Sequence, residues 1–171
     1  MTGTPPAATG VTVLISTGGT IAAQTTDDGA IPALGSAALL SAAGTITTGT
    51  GDIGTGDERA GDDGTSRTPS AIRTVDLMSV DSSAMTVADQ FAVVRAIADA
   101  LADPAVRGVV ITHGTDTMEE TAYLADLYAA DERPVVFTGA MLPSDSPHAD
   151  GPSNLAAALA AIDDPTARGR G

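Results

Sequence analysis

The sequence contains no cysteine, no lysine and no tryptophan, and these absences exclude several classes of function. Without cysteine there is no disulfide framework and no thiolate metal site. Without lysine, all eight basic residues are arginine, and 22 acidic residues bring the formal net charge to −14. This charge excludes a nucleic-acid binder that works by neutralising phosphates, and it argues against an anionic membrane surface as a partner.

Metal-binding and membrane-spanning patterns are also missing. His113 and His148 are the only histidines, too few for a His-rich metal site. No apolar run approaches the roughly 18 residues of a membrane helix. The first ten residues have neither the positive region nor the apolar stretch of a secretion signal. We therefore expect a cytoplasmic protein without a metal site, and a secreted protein from which the signal has been cleaved is the alternative with the same pattern.

The composition that remains is globular. Of the 171 residues 43% are hydrophobic and 18% are charged, and because only 2% are aromatic the core must be aliphatic. The length allows one domain. We expect a flexible N-terminus over residues 1–10, one domain over 11–171, and within it a low-complexity loop at about 44–70, where Gly, Thr, Asp and Ser dominate.

Short apolar runs alternate with helical patterns along the chain. The predicted strands are residues 11–16, 72–80, 108–112 and 135–138. Four helices are predicted. The first covers residues 36–43, and the second opens at the capping-box pair Thr86 and Asp89 and ends near Asp103. The third runs from 117 to about 130, and the fourth from 151 to about 162. This order predicts an α/β fold, a three-layer, doubly wound, mostly parallel sheet with helices on both faces.

Small polar residues follow each predicted strand, in segments 17–20, 81–83, 113–117 and 139–144. Ligands of such sheets bind beyond the carboxyl ends of the strands, so we expect these segments to converge. Taken singly, each segment has a structural interpretation. Ser and Thr cap helices, Gly18 and Gly19 make a tight turn, and His113 forms a structural hydrogen bond.

Together the segments hold groups that could bind and attack a free amino acid. The Thr20 hydroxyl is a candidate nucleophile, and backbone N–H groups of the glycine turn could stabilise an oxyanion. Thr115 offers a second hydroxyl, and the Asp116 carboxylate suits an ammonium group. Ser82 and Ser83 offer hydroxyls and N–H groups that suit a carboxylate. The pattern indicates acyl transfer from the side chain of an α-amino acid.

Two long segments carry a family resemblance. Leu14-Ile-Ser-Thr-Gly-Gly-Thr-Ile-Ala22 and Gly108-Val-Val-Ile-Thr-His-Gly-Thr-Asp-Thr-Met118 resemble the two signature motifs of the bacterial-type L-asparaginase/glutaminase family. Residues 119–123, 137–144 and 149–152 fit the same family. The resemblance covers most of 11–171 except the insertion around 44–70.

The resemblance implies hydrolysis of L-asparagine to L-aspartate and ammonia through an acyl-enzyme on threonine, with L-glutamine as a second candidate substrate. The positions that match the family's catalytic residues are Thr20, Thr115 and Asp116, and those that match its substrate-binding residues are Ser82, Ser83 and Ala140. Within that scheme Thr20 is the nucleophile, Asp116 also receives the α-amino group, and the backbone carbonyl of Ala140 meets the side-chain amide. The family implies no cofactor, and usually a homotetramer with sites between two subunits.

The sequence departs from the family at three points. The family has a catalytic lysine downstream of the last matching segment, whereas this chain has none, and arginine cannot accept the proton because it stays charged. The family's smaller C-terminal domain has no counterpart here. The lid segment 24–34 lacks the tyrosine that family members often carry. We expect the N-terminal part of a longer enzyme, or a truncated gene product, with little or no amidase activity alone.

Three other functions stay open at this point. An amidotransferase subunit of the same superfamily usually has an additional N-terminal domain, which a first motif so near residue 1 disfavours. A non-catalytic amino-acid-binding module would keep the pocket without the lysine. A nucleotide-binding domain is disfavoured because Thr17-Gly-Gly-Thr20 lacks the G-x-G-x-x-G spacing. Asparagine and glutamine differ by one methylene, worth about 1–3 kcal/mol in a pocket, so the sequence does not choose between them.

Overall fold

Six strands and four α-helices form the part of the chain that the computed structural model describes, which is residues 10–26, 29–44, 71–128 and 131–170. The strands are β1 (Val11–Gly18), β2 (Ala23–Thr26), β3 (Gly29–Pro32), β4 (Ile72–Val80), β5 (Val106–Thr112) and β6 (Val135–Thr138). The α-helices are α1 (Ser36–Ala42), α2 (Val87–Leu101), α3 (Met118–Tyr128) and α4 (Gly151–Asp163). Short 3-10 turns follow β1, β4 and α4, at Thr20–Ala22, Ser82–Ala84 and Pro165–Ala167.

Four of the strands form one parallel sheet in the order β4-β1-β5-β6. The central strand β1 pairs with β4 on one side and with β5 on the other, so that Leu14 lies opposite Thr74 and Val110. Parallel sheets need cover on both faces, and β1 and β5 accordingly read as nearly continuous apolar runs that are buried along their length.

The two faces of the sheet carry separate hydrophobic clusters. Side chains alternate along a strand, so Val13 and Ile15 of β1 pack with α2 and α3, whereas Leu14 packs with α1 and α4. On β5, Val109 and Ile111 join the first cluster and Val110 joins the second. The predicted three-layer α/β fold is therefore confirmed.

The helix and strand predictions hold closely, apart from one element that was missed. The capping box of Thr86 and Asp89 opens α2, as predicted. The antiparallel hairpin β2–β3 was not predicted, because its side chains beyond Ala23 are mostly exposed and give no periodic apolar face. Instead the Asp145 carboxylate tethers it, accepting hydrogen bonds from the Thr25 N–H and hydroxyl at 3.0 and 3.1 Å.

Some predictions fall outside the described residues. These are the flexible N-terminus except Gly10, the low-complexity loop except Gly44, and the end of the third helix at residues 129–130. In the ranges that are described, no helix combines the length and apolarity needed to cross a bilayer.

Candidate active site

The loops after β1 and β5 meet at the point where the winding of the sheet reverses. The chain passes from β1 to β4 on one side and then crosses to β5 on the other, which places the ligand crevice of such folds between β1 and β5. There the two backbones touch. A Cβ atom on Gly19 would lie only 2.5 Å from the Gly114 Cα, and Gly19 also has a φ of +74°. Only glycine fits this contact, and Thr20 and Thr115 follow directly.

The loop after β4 joins the same point through Ser82. Its side chain is buried, and its Oγ accepts a hydrogen bond from the Asp116 N–H at 3.2 Å. The Thr117 hydroxyl donates to the Ser82 carbonyl at 3.0 Å. A Cβ atom on Gly114 would approach the Ser82 Cβ to 2.6 Å. Ser82 therefore fixes the backbone that carries Asp116.

The loop after β6 closes the cluster from the other side. A Cβ atom on Gly139 would lie 2.7 Å from the His113 carbonyl oxygen and 3.4 Å from Cγ2 of Thr115. Ala140, the next residue, is buried. All four predicted loops thus lie together at the carboxyl end of the sheet.

Three of the six predicted site residues keep their polar side-chain atoms unengaged. Thr20 is half-buried, Thr115 and Asp116 are exposed, and within the described residues no hydrogen bond ties the side chain of any of the three. By contrast, the hydroxyl of Thr17 is buried and donates to the Thr112 carbonyl at 2.9 Å. The free groups are those available to a ligand.

Ser83 forms its side-chain hydrogen bond within its own loop, whereas Ser82 contacts the loop after β5. Ser83 is exposed, and both its N–H and its hydroxyl donate to the Asp81 carboxylate, at 2.9 and 2.8 Å. These bonds, the hydroxyl first, lower the pKa of Asp81. The structure therefore turns the Ser83 hydroxyl to Asp81 rather than to the Ser82–Asp116 contact.

His113 holds the backbone of the loop after β5. Its ring is fully buried, and because a carbonyl can only accept, Nδ1 carries the proton that is donated to the Gly114 oxygen at 2.8 Å. Burial lowers the pKa of His113, so the ring is neutral at pH 7. Its Nε2 atom and the Thr112 hydroxyl have no hydrogen-bond partner among the described residues. The geometry matches the structural interpretation of this histidine.

Similarity to a known protein family shows where the chain belongs. Residues 11–171 match the family model described as "Asparaginase, N-terminal". The chain belongs to the asparaginase family. The family prediction from the two sequence motifs is therefore confirmed.

Relatives share both the sequence and the fold. The glutaminase-asparaginase of Acinetobacter glutaminasificans is 40% identical over 100 residues, which are 58% of this chain and 30% of that protein. The "Probable Cytoplasmic L-asparaginase" of Campylobacter jejuni superposes on 93% of this chain with a TM-score of 0.70 and 33% identity, and 41% of that chain is covered. The thermostable L-asparaginase of Thermococcus kodakarensis gives a TM-score of 0.67, 31% identity, and coverage of 93% and 42%. The chain thus spans well under half the length of these asparaginases.

Sequence reasoning missed two residues that hold the loop after β6. The Asp150 carboxylate accepts hydrogen bonds from the N–H groups of Met141 and Leu142, and the Asn154 side chain donates to the Gly139 carbonyl. An acidic residue just before a Gly-Pro helix start is usually interpreted as a cap for that helix, so no sequence pattern indicates a contact nine residues back.

Two grooves on the described part of the chain lie away from this site. One of about 540 Å³ is lined mainly by apolar side chains of α2 together with Tyr128, and one of about 100 Å³ lies between α3 and β6. Neither is lined by any of the six predicted residues. We therefore identify the candidate site by the polar groups that meet at the loops, and not by these two grooves. In the described ranges, no set of three His, Cys, Asp or Glu side chains is arranged to hold a metal ion.

Proposed function

We propose that the chain is the N-terminal part of an L-asparagine amidohydrolase that works through a threonine acyl-enzyme. One observation carries the proposal. The Gly19 and Gly114 backbones touch at the winding reversal of the sheet, and unengaged polar groups of Thr20, Thr115 and Asp116 follow them. The asparaginase names of the relatives support the choice of substrate.

The reaction needs two substitutions at one carbon atom. The Thr20 Oγ attacks the side-chain amide carbon, loses its proton, and forms an ester as ammonia leaves with that proton. Water then cleaves the ester, which releases L-aspartate and restores the hydroxyl. Backbone N–H groups of the glycine turn stabilise the oxyanion in both steps, apart from that of Gly19, which donates to the Val80 carbonyl at 3.2 Å.

The other predicted residues bind the amino-acid end. The exposed Asp116 carboxylate pairs with the α-ammonium group, and Ser82 and Ser83 hold the α-carboxylate. Ser83 must release its hydroxyl from Asp81 to do so, because the two are hydrogen-bonded at 2.8 Å. Thr115 supplies the second hydroxyl beside Asp116, and no cofactor takes part.

The 171 residues alone should bind the amino acid with little or no turnover. A threonine hydroxyl needs a base, the chain has no lysine, and its arginines remain charged. A second candidate is a non-catalytic amino-acid-binding module, because the exposed Asp116 carboxylate suits binding of an amino acid as well as catalysis. L-Glutamine is an alternative substrate, as the name of the Acinetobacter relative suggests. We further propose a cytoplasmic location and a homo-oligomer for the full-length protein, the former by analogy with the Campylobacter protein.

Calorimetric binding and an ammonia assay on the 171-residue chain test the proposal. We expect binding of L-asparagine, and ammonia release at least about 100-fold slower than from an intact family member, because general-base catalysis is worth about 10²–10⁴-fold. Asp116→Asn should weaken binding more than tenfold. Asp126→Asn is the matched control, since it changes the net charge equally on the exposed side of α3.

Each arm has an outcome that counts against the proposal. Unchanged binding in Asp116→Asn would remove the ammonium site. Turnover by the 171 residues near the rate of an intact member would disprove the inactivity. Binding without turnover by a verified full-length protein would favour the binding module.

A further inference from the structure

The Asp150 carboxylate does not cap the helix that it precedes. Asp150 is the N-cap residue of α4, where aspartate normally accepts hydrogen bonds from the first helical turn, yet it makes no side-chain cap bond. Its two oxygens instead accept from the Met141 N–H at 3.1 and 3.0 Å, and one of them also accepts from the Leu142 N–H at 3.0 Å. The carboxylate therefore contacts the loop after β6 instead of capping α4.

Asn154, one helical turn further on, completes the contact. Its Nδ2 donates to the Asp150 carboxylate at 3.1 Å and to the Gly139 carbonyl at 3.0 Å. The Asp150–Asn154 clamp thereby holds the loop on both sides of Ala140, at the preceding carbonyl and at the following N–H. The N–H groups of Met141 and then Leu142 are the main causes that lower the pKa of Asp150, so the carboxylate is charged at neutral pH.

The clamp determines where the Ala140 carbonyl points. The Ala140 C=O and the Met141 N–H belong to one peptide group, and the described residues contain no cis peptide bond. In a planar trans peptide the two bonds point in opposite directions. Because the N–H points to Asp150, the carbonyl must point away from the start of α4. No described residue donates a hydrogen bond to that carbonyl.

The start of α4 also touches the loop that carries Thr20. A Cβ atom on Gly151 would lie 2.9 Å from Cγ1 of Ile21 and 3.5 Å from the Ala140 Cβ. The clamp, the Ala140 peptide and the Thr20 loop therefore pack together, with Ile21 and Ala140 in one hydrophobic cluster.

We propose that Asp150, supported by Asn154, is a positioning residue that aims the Ala140 carbonyl at the side-chain amide of the bound substrate. The inference rests on the proposed function. It makes Asp150 a determinant of specificity for amide over carboxylate, because a fixed carbonyl accepts a hydrogen bond from –NH₂ and repels –COO⁻.

The test compares the affinities of the 171-residue chain for L-asparagine and L-aspartate at pH 7. The two ligands share the α-ammonium and α-carboxylate contacts, so their affinity ratio isolates the side-chain contact. We expect the wild type to prefer L-asparagine, and Asp150→Ala to reduce that preference about 3-fold to 10-fold, the worth of one hydrogen bond. Asn154→Ala should reduce it less. Hydrogen exchange of the Met141 amide should accelerate in Asp150→Ala.

Asp164→Asn is the matched control. Asp164 also precedes a helical turn and also has a lowered pKa, but it bonds only locally, to the N–H and hydroxyl of Thr166. The affinity ratio should not change in this variant. If Asp150→Ala does not fold, Asp150→Asn retains the shape of the side chain and one acceptor, and should show a smaller loss of preference.

The outcomes separate the two proposals. A folded Asp150 variant that keeps the full preference for L-asparagine would overturn the positioning role alone. An equal loss of preference in Asp164→Asn would also overturn it, since the effect would then be general. A wild-type chain that binds neither amino acid would overturn the proposed function and this inference with it.

Discussion

The two ends of the parallel sheet are built from different interactions. At the amino ends of the strands lie the three ion pairs found among the described residues, Arg73 with Asp103, Arg107 with Asp163, and Arg133 with Asp131. At the carboxyl ends the loops meet through glycine backbones, and two hydroxyls and a carboxylate have no hydrogen-bond partner in the part of the chain that the structure describes. One end uses its polar groups internally, whereas the other keeps several available.

Arg133 shows how completely the amino end uses its polar groups. Its guanidinium donates to the Leu101 carbonyl, to the Asp103 and Val106 carbonyls at 3.0 and 2.7 Å, and to both oxygens of Asp131. A single side chain thus joins the end of α2 to the start of β5. The Gly19–Gly114 contact performs the same task at the other end without using a side chain.

The difference explains how a site can be rigid and still reactive. If Thr20 or Asp116 held the loops together, its polar atoms would not be free for a ligand. Backbone contacts, together with the side chains of Ser82, Asp150 and Asn154, fix the loops instead, so that rigidity and available polar groups exist at the same place. Four predictions, in order of decreasing effect, test this division between the two ends.

Gly19→Ala should produce the largest loss of stability. Its Cβ would meet the Gly114 backbone in a left-handed conformation, so we expect the free energy of unfolding to fall by about 2 to 5 kcal/mol. Gly169→Ala is the control, with a nearly equal φ of +69° but nothing within 4 Å, and should lose only about 1 kcal/mol. Urea unfolding measures both. Equal losses would show that the contact between the loops contributes nothing.

Arg133→Ala should have the next largest effect, and only on stability. Removing a charged donor from three carbonyls should lower the free energy of unfolding by about 2 kcal/mol while leaving the asparagine-to-aspartate affinity ratio unchanged. Arg95→Ala, an exposed arginine on α2 with no ion pair in the described ranges, should stay within about 0.5 kcal/mol. A changed affinity ratio in Arg133→Ala would mean that the two ends are coupled.

Thr17→Val and Thr20→Val compare a threonine at the end of β1 with one in the turn that follows it. Thr17 loses a buried hydrogen bond to the Thr112 carbonyl, so its replacement should cost about 1 to 2 kcal/mol of unfolding free energy. Thr20 has no such bond among the described residues, so its replacement should stay within about 0.5 kcal/mol. Thermal melts of both variants decide the matter. A large loss in Thr20→Val would indicate a structural threonine.

Much of this architecture could be predicted from the sequence because it depends on local patterns. Apolar runs, the Thr86 capping box and the order of strands and helices determine the three layers and bring the loops to one edge. The hairpin β2–β3 could not be predicted, since its tether to Asp145 lies 120 residues away along the chain. Nor could the side-chain direction of Ser83 or Asp150, where alternative hydrogen-bond partners compete and only the packed fold chooses between them.

The smallest predicted effect is the pH dependence of the amino end. The Arg133 side chain, mainly by its hydrogen bond, lowers the pKa of Asp131 to about 2. A lowered pKa stabilises the fold at pH values above the unfolded pKa of about 3.9, and that stabilisation is lost as the pH falls towards 2. The free energy of unfolding, measured with urea, should therefore decline less steeply between about pH 4 and pH 2 in Asp131→Asn. The difference should be below about 1 kcal/mol, because the pair is partly exposed. Asp126→Asn makes the same change in net charge, and Asp126 forms no ion pair with any residue that the structure describes. If both variants flatten the decline equally, overall charge and not the Arg133 contact governs the acid stability of this end.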